Sequence, residues 1–408
     1  MAKRVVVTGM SGITALGDNL EMVMAALKKG ENAVVKMDDW QKYQGLKINL
    51  AAPIADFSLP KHYTRKRIRS MSRVSHLSTR ATELALEQAG LLETDILTSG
   101  QTGIAYGSCS GSTVAGNAFT TVLKDHSTRD LDANTYVKMM SHSAAVNTGL
   151  FFGLRGRVVP TSSACTSGSQ GIGFAYEAIK YGQQQVMVGG GAEELCPTQS
   201  AVFDTLFATS GKNDTPKLTP RPYDKDRDGL VIGEGAGSLI LEDADFAAAR
   251  GAKPIAEVVG FATNCDAAHV TQPRAETMQV CMEMALRDAG LKPEQIGYVN
   301  GHGTATDLGD IAETTATNAV FGSQQKISSL KSYFGHTLGA CGAIEAWLSI
   351  EMMRSGWFAP TINLDNVDER CGELDYITGN GREMDCQYVM TNNFAFGGIN
   401  TSLIFKLL

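Results

Sequence analysis

The stretch VVPTSSACTSGSQGIG, residues 158–173, decides the fold and raises the question of what its cysteine does. An apolar run that predicts a strand leads into Cys165, and the glycine-rich stretch after it predicts a helix. The dipole and free N–H groups of a helix N-terminus favour a thiolate, so the pattern predicts a nucleophilic sulfur. A small buried cysteine in a strand-to-helix turn explains the same residues, and Cys165 alone does not decide between the two.

The composition describes a globular chain with a large core. The sequence has 408 residues, of which 43% are hydrophobic and 19% charged, enough for two domains or two halves of one thick fold. The net charge of -7 argues against non-specific nucleic-acid binding. The eight cysteines show no CxxC or Cys/His ligand spacing, so we expect neither a disulfide framework nor a zinc site.

The N-terminal residues lack the pattern of a signal peptide. No uncharged stretch reaches the roughly 18 to 20 apolar residues that a membrane span needs. We therefore expect a cytoplasmic protein without a membrane span.

Short β-branched runs alternate with longer helical patterns along the chain, which predicts an α/β architecture with buried strands. Two helical stretches, SHLSTRATELALEQAGL (75–91) and RAETMQVCMEMALRDAGL (274–291), both end in AGL, where the glycine is suited to a C-cap. Each precedes a predicted strand. This weak internal repeat predicts two similar α/β halves that join near residues 250–260.

A histidine between two glycines follows one of the predicted strands. The segment YVNGHGTATDLGDIAE, residues 298–313, contains His302, with the hydroxyls of Thr304 and Thr306 close behind it. The glycines let other backbone approach the imidazole closely, and the hydroxyls suit a polar ligand arm. A loop histidine satisfied by local hydrogen bonds explains the segment equally well.

Two further glycine-rich segments follow. SSLKSYFGHTLGACGAIEA, residues 328–346, carries Lys331, His336 and Glu345 around a turn into a helix. NNFAFGGIN, residues 392–400, predicts a tight turn before the last strand, for which an ordinary hairpin is the better interpretation on its own.

In this order and spacing, the motifs SSACTSG, GHGTATDLGD, LKSYFGH and FAFGG resemble the elongating type I and type II β-ketoacyl-acyl-carrier-protein synthases of the condensing-enzyme superfamily. The resemblance covers essentially the whole chain. It implies an α/β, thiolase-like fold of two similar halves in a layered αβαβα arrangement. Residues 1–255 would form the N-terminal half with the nucleophilic cysteine and a cap insertion, and residues 256–408 the C-terminal half with the two catalytic histidines.

The resemblance also implies a role for each residue of the site. Cys165 would carry the acyl chain as a thioester, and the N–H groups of Cys165 and Phe396 would form the oxyanion hole. His302 and His336 would polarise the malonyl thioester carbonyl, while Lys331, paired with Glu345, sets the local field. The residues expected to bind substrate are Thr304 and Thr306 for the phosphopantetheine arm and Ser110, Phe203 and Phe396 for the acyl chain, with the two phenylalanines as movable gates. No metal or cofactor is expected, because substrates travel on the phosphopantetheine of an acyl carrier protein.

An acidic carrier protein is the expected partner. The family's basic docking patch corresponds to Arg65, Lys66 and Arg69, although a solvated helix face explains such a charge run as well. Phe207 stands where type II synthases carry an arginine, which weakens the electrostatic contribution there. We expect a homodimer, with a heterodimer with another synthase-like subunit as the alternative, and no nucleic-acid partner.

Three other functions are weaker interpretations. Thiolase-type acyltransferases have a second catalytic cysteine where this chain has FAFGG, and chain-initiating synthases have an asparagine in place of His336. A non-catalytic chain-length-factor-like subunit would lack the nucleophile. The pathway stays open between fatty-acid elongation and polyene or polyketide chain building. The small Ser110 predicts a deeper or wider pocket, and its hydroxyl slightly favours a polar or unsaturated chain.

Overall fold

A computed structural model describes residues 2–408. The strands in these residues are Val5–Ile13 (β1), Val35–Lys36 (β2), Leu50–Ala52 (β3), Thr102–Gly107 (β4), Val158–Thr161 (β5), Val186–Glu193 (β6), Ile232–Gly233 (β7), Gly235–Asp243 (β8), Ala256–Cys265 (β9), Tyr298–Asn300 (β10), Lys326–Ser328 (β11), Trp357–Phe358 (β12), Asp375–Tyr376 (β13), Arg382–Glu383 (β14), Tyr388–Ala395 (β15) and Ile399–Leu407 (β16).

The α-helices in the same residues are Leu20–Lys29 (α1), Arg65–Ile68 (α2), Arg73–Gln88 (α3), Asp95–Thr98 (α4), Thr113–Asp125 (α5), Thr135–Met139 (α6), Ser143–Phe152 (α7), Ser167–Lys180 (α8), Pro197–Thr205 (α9), Ala244–Ala249 (α10), Ala275–Ala289 (α11), Asp307–Phe321 (α12), Lys331–Phe334 (α13) and Cys341–Ser355 (α14). Short 3-10 turns lie at Asp38–Lys42, Pro216–Leu218, Pro293–Gln295 and Leu338–Ala340. No helix within residues 2–408 is long and apolar enough to cross a membrane.

Eleven strands form one sheet in the order β13-β11-β10-β15-β16-β9-β1-β8-β6-β4-β5. On one side, β5, β4 and β6 run parallel, and β8 and β1 follow antiparallel. On the other side, β13, β11, β10 and β15 run parallel, and β16 and β9 follow antiparallel. The chain therefore builds the same pattern twice, and the two patterns join where β1 pairs antiparallel with β9.

The predicted internal repeat corresponds to a real structural repeat. The helices α3 and α11 precede β4 and β10, which occupy equivalent places in the two patterns. Gly90 and Gly290, the glycines of the two AGL sequences, have φ of 66° and 65°, the left-handed backbone that suits a helix C-terminus. The sequence pattern therefore located both helix ends correctly.

The helices α8 and α14 lie against each other and against the sheet, and they carry the central part of the core. All residues of α14 from Cys341 to Met353 are buried, as expected of a helix surrounded by protein rather than lying on its surface. Their close contact needs glycine, since a Cβ on Gly342 would lie 2.7 Å from the backbone nitrogen of Ser169 and 2.5 Å from Oδ1 of Asn393. This contact brings the start of α8, next to Cys165, against the start of α14.

A substitution at Gly12 of β1 tests how tightly α14 packs on the sheet. A Cβ at Gly12 would lie 2.1 Å from the indole ring of Trp347. We expect Gly12→Ala to lower the free energy of unfolding by about 1 to 3 kcal/mol, because the ring must shift in a dense core. Chemical denaturation measures the change. The control is Gly149→Ala in α7, whose Cβ would meet Ile104 Cγ2 at an ordinary 3.8 Å. An equal loss in both variants would contradict the packing argument.

Candidate active site

Cys165 lies in a sharp turn between β5 and α8. The residue before it, Ala164, has φ of 52°, and α8 begins two residues after it, at Ser167. The turn is closed by Ser167, whose Oγ donates to the carbonyl oxygen of Ala164 at 2.6 Å and accepts from the backbone N–H of Ser163 at 2.9 Å. The predicted position of the sulfur at a helix N-terminus is therefore correct.

The protonation state of Cys165 differs from the sequence-based expectation. Burial raises the pKa of the thiol to about 11, and the charge of Lys331 and the backbone N–H groups of Phe396 and Cys165 only partly oppose it. Desolvation disfavours the thiolate more strongly than the helix terminus favours it. The resting nucleophile is therefore a thiol at neutral pH.

His336 contacts the sulfur directly. Its Nε2 lies 2.9 Å from Sγ of Cys165. The main chain of His336 is fixed beside β7, since its N–H donates to Val231 at 2.7 Å and its carbonyl oxygen accepts from Gly233 at 2.9 Å. The backbone N–H of Leu338 donates to Nδ1 of the ring at 3.3 Å. An accepting Nδ1 leaves the proton of a neutral imidazole on Nε2, so His336 presents an N–H group to the pocket.

His302 follows β10 and faces the same pocket. Nζ of Lys331 lies 3.1 Å from its Nδ1, so the ammonium donates there and leaves the ring proton on Nε2. The carboxylate of Glu313 accepts from the backbone N–H groups of His302 and Gly303 at 2.5 and 2.7 Å, which fixes the turn. The rings of His302 and His336 are perpendicular, with centroids 5.2 Å apart.

Both imidazoles are neutral. Burial, together with the charge of Lys331, lowers the pKa of His302 and of His336 well below the ordinary value. The cost of burying a second and third positive charge beside the ammonium explains the direction. The two Nε2–H groups can therefore donate hydrogen bonds without carrying charge.

Lys331 and Glu345 form a buried ion pair, as the sequence resemblance implied. Burial is the largest single effect and acts to lower the pKa of Lys331, but the charge and hydrogen bond of Glu345, together with smaller contributions from other groups, outweigh it and the net shift is upward. The side-chain amide of Asn393 donates to the other oxygen of Glu345 at 2.7 Å. The ammonium therefore stays charged beneath the two histidines.

The segment FAFGG is a hairpin turn that also lies close to Cys165. It is the hairpin between β15 and β16, with Gly397 and Gly398 at φ of 91° and 75°. The same turn places the backbone N–H of Phe396 near the sulfur of Cys165, beside the N–H of Cys165 itself. The role of these two N–H groups as an oxyanion hole stays a prediction.

A pocket of about 270 Å³ leads from the surface to Cys165, His302 and His336. Thr304 and Thr306 line it, and their hydroxyl groups are 2.9 Å apart. Phe203 and Phe396 also line it, with ring centroids 5.7 Å apart. The structure thus brings Cys165, the two histidines and the predicted arm-binding and gating residues to one pocket, while Lys331 does not line it and contacts His302 instead.

Ser110 lines a second, wider cavity of about 1130 Å³. Its hydroxyl donates to the carboxylate of Glu193 at 3.0 Å and accepts from the amide of Gln199 at 2.9 Å. The donor of Ser110 is therefore not free to bind an acyl chain, and its contribution to the cavity is its small size. Glu193 also accepts from the backbone N–H groups of Cys109 and Gly339, at 2.7 and 3.1 Å.

The three predicted docking residues, Arg65, Lys66 and Arg69, are exposed, and none of them forms an ion pair within residues 2–408. Other members of the basic run have structural partners. Arg67 lies 3.7 Å from the ring centroid of Phe151 and donates to its carbonyl oxygen. The docking residues do not line the pocket that leads to Cys165.

Two groups of side chains in this region have donor types that bind metals. The donor atoms of Cys165, His302 and His336 lie within 4.8 Å of one another, and so do those of His302, Cys341 and Glu345. The ammonium of Lys331 already contacts both His302 and Glu345, which disfavours a metal cation in the second group. A soft metal in the first group would occupy the nucleophile itself. The expectation of a metal-free reaction stays a prediction.

Sequence reasoning missed the residues that hold the catalytic groups in place. Asn393, Glu313 and Glu193 are buried and bind catalytic side chains or their turns. Cys341 also belongs to this set, because its thiol donates to the carbonyl oxygen of Cys165 at 3.2 Å. Asn393 and Glu313 lie within the quoted motifs, but no sequence signal pairs them with their partners.

Solved structures share this fold along the entire chain. A β-ketoacyl synthase from Burkholderia phymatum is 57% identical, with a TM-score of 0.98 and 100% of both chains covered. A type II polyketide ketosynthase, solved in complex with its acyl-carrier protein, is 28% identical with a TM-score of 0.90, again over 100% of both chains. The fold is therefore the thiolase-like fold of condensing enzymes, as predicted.

Family models and curated relatives agree with the structural comparison. The model of the β-ketoacyl synthase N-terminal domain matches residues 2–247, and that of the C-terminal domain matches residues 255–365. The 3-oxoacyl-[acyl-carrier-protein] synthase 2 of Vibrio cholerae is 38% identical over 412 residues, 99% of each chain. The chain belongs to the β-ketoacyl synthase family. The predicted activity, that of an elongating ketosynthase and hence an acyltransferase, is confirmed.

The pKa of Cys165 predicts how its reactivity depends on pH. Because burial raises that pKa to about 11, the thiolate fraction, and with it the iodoacetamide rate, rises about tenfold per pH unit between pH 7 and 9. Peptide mass spectrometry follows alkylation of Cys165, with the exposed Cys265 as an internal comparison. A rate that levels off below pH 9 would show that the resting sulfur is a thiolate.

Proposed function

We propose that this protein lengthens an acyl group held on Cys165 by decarboxylative Claisen condensation with a malonyl group on an acyl carrier protein. The observation that carries the proposal is the placement of a buried thiol 2.9 Å from Nε2 of His336, with a second neutral imidazole, His302, facing the same pocket. Curated relatives are named 3-oxoacyl-[acyl-carrier-protein] synthase, and one structural neighbour was solved in complex with its carrier protein. Both observations support an acyl carrier protein as the substrate carrier.

The first half-reaction transfers the acyl group to Cys165. The sulfur attacks the carrier thioester, and negative charge develops on the carbonyl oxygen near the N–H groups of Cys165 and Phe396. The new carbon–sulfur bond forms at Cys165 while the carbon–sulfur bond to phosphopantetheine breaks. The thiol proton leaves Cys165 and ends on the departing phosphopantetheine sulfur, so the step is balanced without an external base. The N–H of His336 stabilises the charge that builds on the attacking sulfur.

The second half-reaction forms the carbon–carbon bond. The malonyl carboxylate leaves as carbon dioxide, and its electron pair becomes an enolate on the thioester. The Nε2–H groups of His302 and His336 donate to the enolate oxygen, and the positive field of Lys331 favours the negative charge. The enolate carbon then attacks the acyl-cysteine carbonyl and the bond to Cys165 breaks. The released sulfur takes up one proton from solvent, since its pKa is about 11, so the condensation consumes one proton overall.

The two halves of the chain have different roles in this mechanism. The N-terminal half, residues 1–255, supplies the nucleophile, and residues 256–408 supply His302, His336 and Lys331. Thr304 and Thr306 hold the amides of the phosphopantetheine arm, and Phe203 and Phe396 control access of the acyl chain to the pocket that leads to Cys165.

The functional unit is a homodimer. The strand β5 is an edge of the sheet, and exposed apolar side chains lie on it (Val158) and on α7, which packs against it (Leu150). Further exposed apolar side chains lie on α6, which contacts α7, and on α5, which contacts α6, namely Val114, Leu123 and Tyr136. An unpaired edge next to exposed apolar groups is a surface that pairs with another chain. Sedimentation of the pure chain tests this, because a monomer would favour a synthase-like partner subunit instead.

The covalent mechanism predicts different defects in different variants. Cys165→Ala abolishes the mass gain on incubation with acyl-carrier protein, since no other group holds the acyl chain. His302→Ala and His336→Ala keep some acylation but lose condensation by more than about a hundredfold, because the enolate lacks a donor. Intact-protein mass spectrometry measures acylation, and discharge by malonyl-carrier protein measures condensation. Acylation of Cys165→Ala would disprove the mechanism.

The electrostatic docking hypothesis predicts a selective effect on affinity. The double variant Lys66→Glu with Arg69→Glu raises the KM for carrier protein about tenfold with little change in kcat, because the exposed charges assist association and not chemistry. Lys28→Glu with Lys29→Glu, on α1, is the charge-matched control. Equal kinetics in wild type and double variant would assign the α2 charges to solvation.

A further inference from the structure

Four large apolar side chains stand exposed around the opening of the pocket that leads to Cys165. Leu206, Phe207, Val270 and Leu308 line the pocket and are 45%, 87%, 66% and 53% exposed. They come from the end of α9, the segment after β9 and the start of α12. We call these four residues the apolar rim. Exposed apolar groups gathered at one opening mark an interaction surface more often than scattered ones do.

The position of Phe207 is fixed by the backbone around it. Its φ of 54° is left-handed, which is uncommon for an aromatic residue. Its N–H donates to Asp204 at 3.0 Å, and the next residue, Ala208, donates to Phe203 at 3.0 Å and accepts from Leu230 at 2.8 Å. The chain therefore holds the ring in solvent, where it adds almost nothing to the core.

Within residues 2–408, the opening has no lysine or arginine side chain. None of the residues that line the pocket is lysine or arginine, whereas Asp266 and Asp307 are among them. Asp307 is bound by Arg227 and Arg370, and Asp266 accepts from Asn400 and Thr277. The docking residues of α2 are also not part of the opening. An acidic partner at this position therefore finds no lysine or arginine of the pocket lining with which to form an ion pair.

We propose that the apolar rim is a docking surface for the carrier protein, with Phe207 as the side chain that contacts apolar groups of the carrier around the attachment point of its phosphopantetheine arm. This rests on the proposed function, because phosphopantetheine is covalently attached to its carrier. When the arm reaches Cys165, the carrier surface around the attachment point must cover the opening, and the rim is what it meets. The apolar contact at the opening complements the charges of α2, which act at longer range.

The test compares a substrate that has the carrier with one that lacks it. Acylation of Cys165 is measured with acyl-carrier protein and with the corresponding free acyl-pantetheine, for wild type, Phe207→Ala, Leu308→Ala and Phe207→Tyr. We expect both alanine variants to raise the carrier-protein KM about tenfold more than the acyl-pantetheine KM, and Phe207→Tyr to recover most of the loss. The larger increase in the carrier-protein KM persists at about 0.5 M salt. The KM increase of the Lys66→Glu with Arg69→Glu double variant becomes smaller at this salt concentration, because salt screens charges.

The matched control is Tyr181→Ala. Tyr181 is 65% exposed at the end of α8 opposite Cys165, and we expect its removal to change neither KM. Equal rises with both substrates, or no rise, would overturn the proposal, as would dissociation of the dimer in Phe207→Ala with an unchanged carrier-protein KM. If wild type is acylated by acyl-pantetheine and the rim variants leave the carrier-protein KM unchanged, only this inference is refuted. No acylation of wild type by either substrate refutes the proposed function as well.

Discussion

The chemistry of this protein depends on a positive charge held where water cannot reach it. Lys331 is buried, and its ammonium is compensated by Glu345, which in turn accepts from Asn393. A buried ion pair is not in itself evidence of stability, and removal of one partner alone leaves an uncompensated charge. Here the ion pair controls the tautomer and the protonation of the neighbouring histidines. The ammonium donates to Nδ1 of His302, sets its tautomer, and disfavours protonation of both histidines.

The geometry around this charge follows from the duplicated fold. The nucleophile lies at the start of α8 in the first pattern of strands, and the histidines and Lys331 follow strands and turns of the second. These parts meet because α8 and α14 approach closely at Gly342, where any side chain would collide with Ser169 or Asn393. The site therefore lies at the contact between the two patterns. A change in how α14 packs on the sheet would alter the distance between nucleophile and donors.

Much of the fold and most of the reacting groups could be predicted from the sequence, because these features are local. The strand-to-helix turn at Cys165, the glycine ends of α3 and α11 and the turns that hold His302 and His336 each lie within a short motif. Features that depend on long-range contacts could not be predicted. The contacts of Glu193 with Cys109 and Gly339 join residues that are far apart in sequence. The division at residue 255 and the roles assigned to individual residues stay predictions.

The thiol of Cys165 shows why local reasoning also failed inside a motif. A helix N-terminus favours a thiolate, but full burial of the sulfur opposes it more strongly, and burial is a property of the whole fold. Ser110 is a similar case, because its hydroxyl is satisfied by Glu193 and Gln199 rather than free for the substrate. At both positions the sequence identified the residue, but the surrounding fold determined the protonation of the thiol and the hydrogen-bond partners of the hydroxyl.

The high pKa of Cys165 has a consequence for survival of the enzyme between turnovers. Peroxides oxidise thiolates far more readily than thiols, and the first product, a sulfenic acid, cannot take up an acyl group. With a pKa of about 11, only about one molecule in ten thousand holds a thiolate at pH 7. We therefore expect the idle enzyme to react with peroxides more slowly than a resting thiolate would, even though its reaction passes through a sulfur nucleophile.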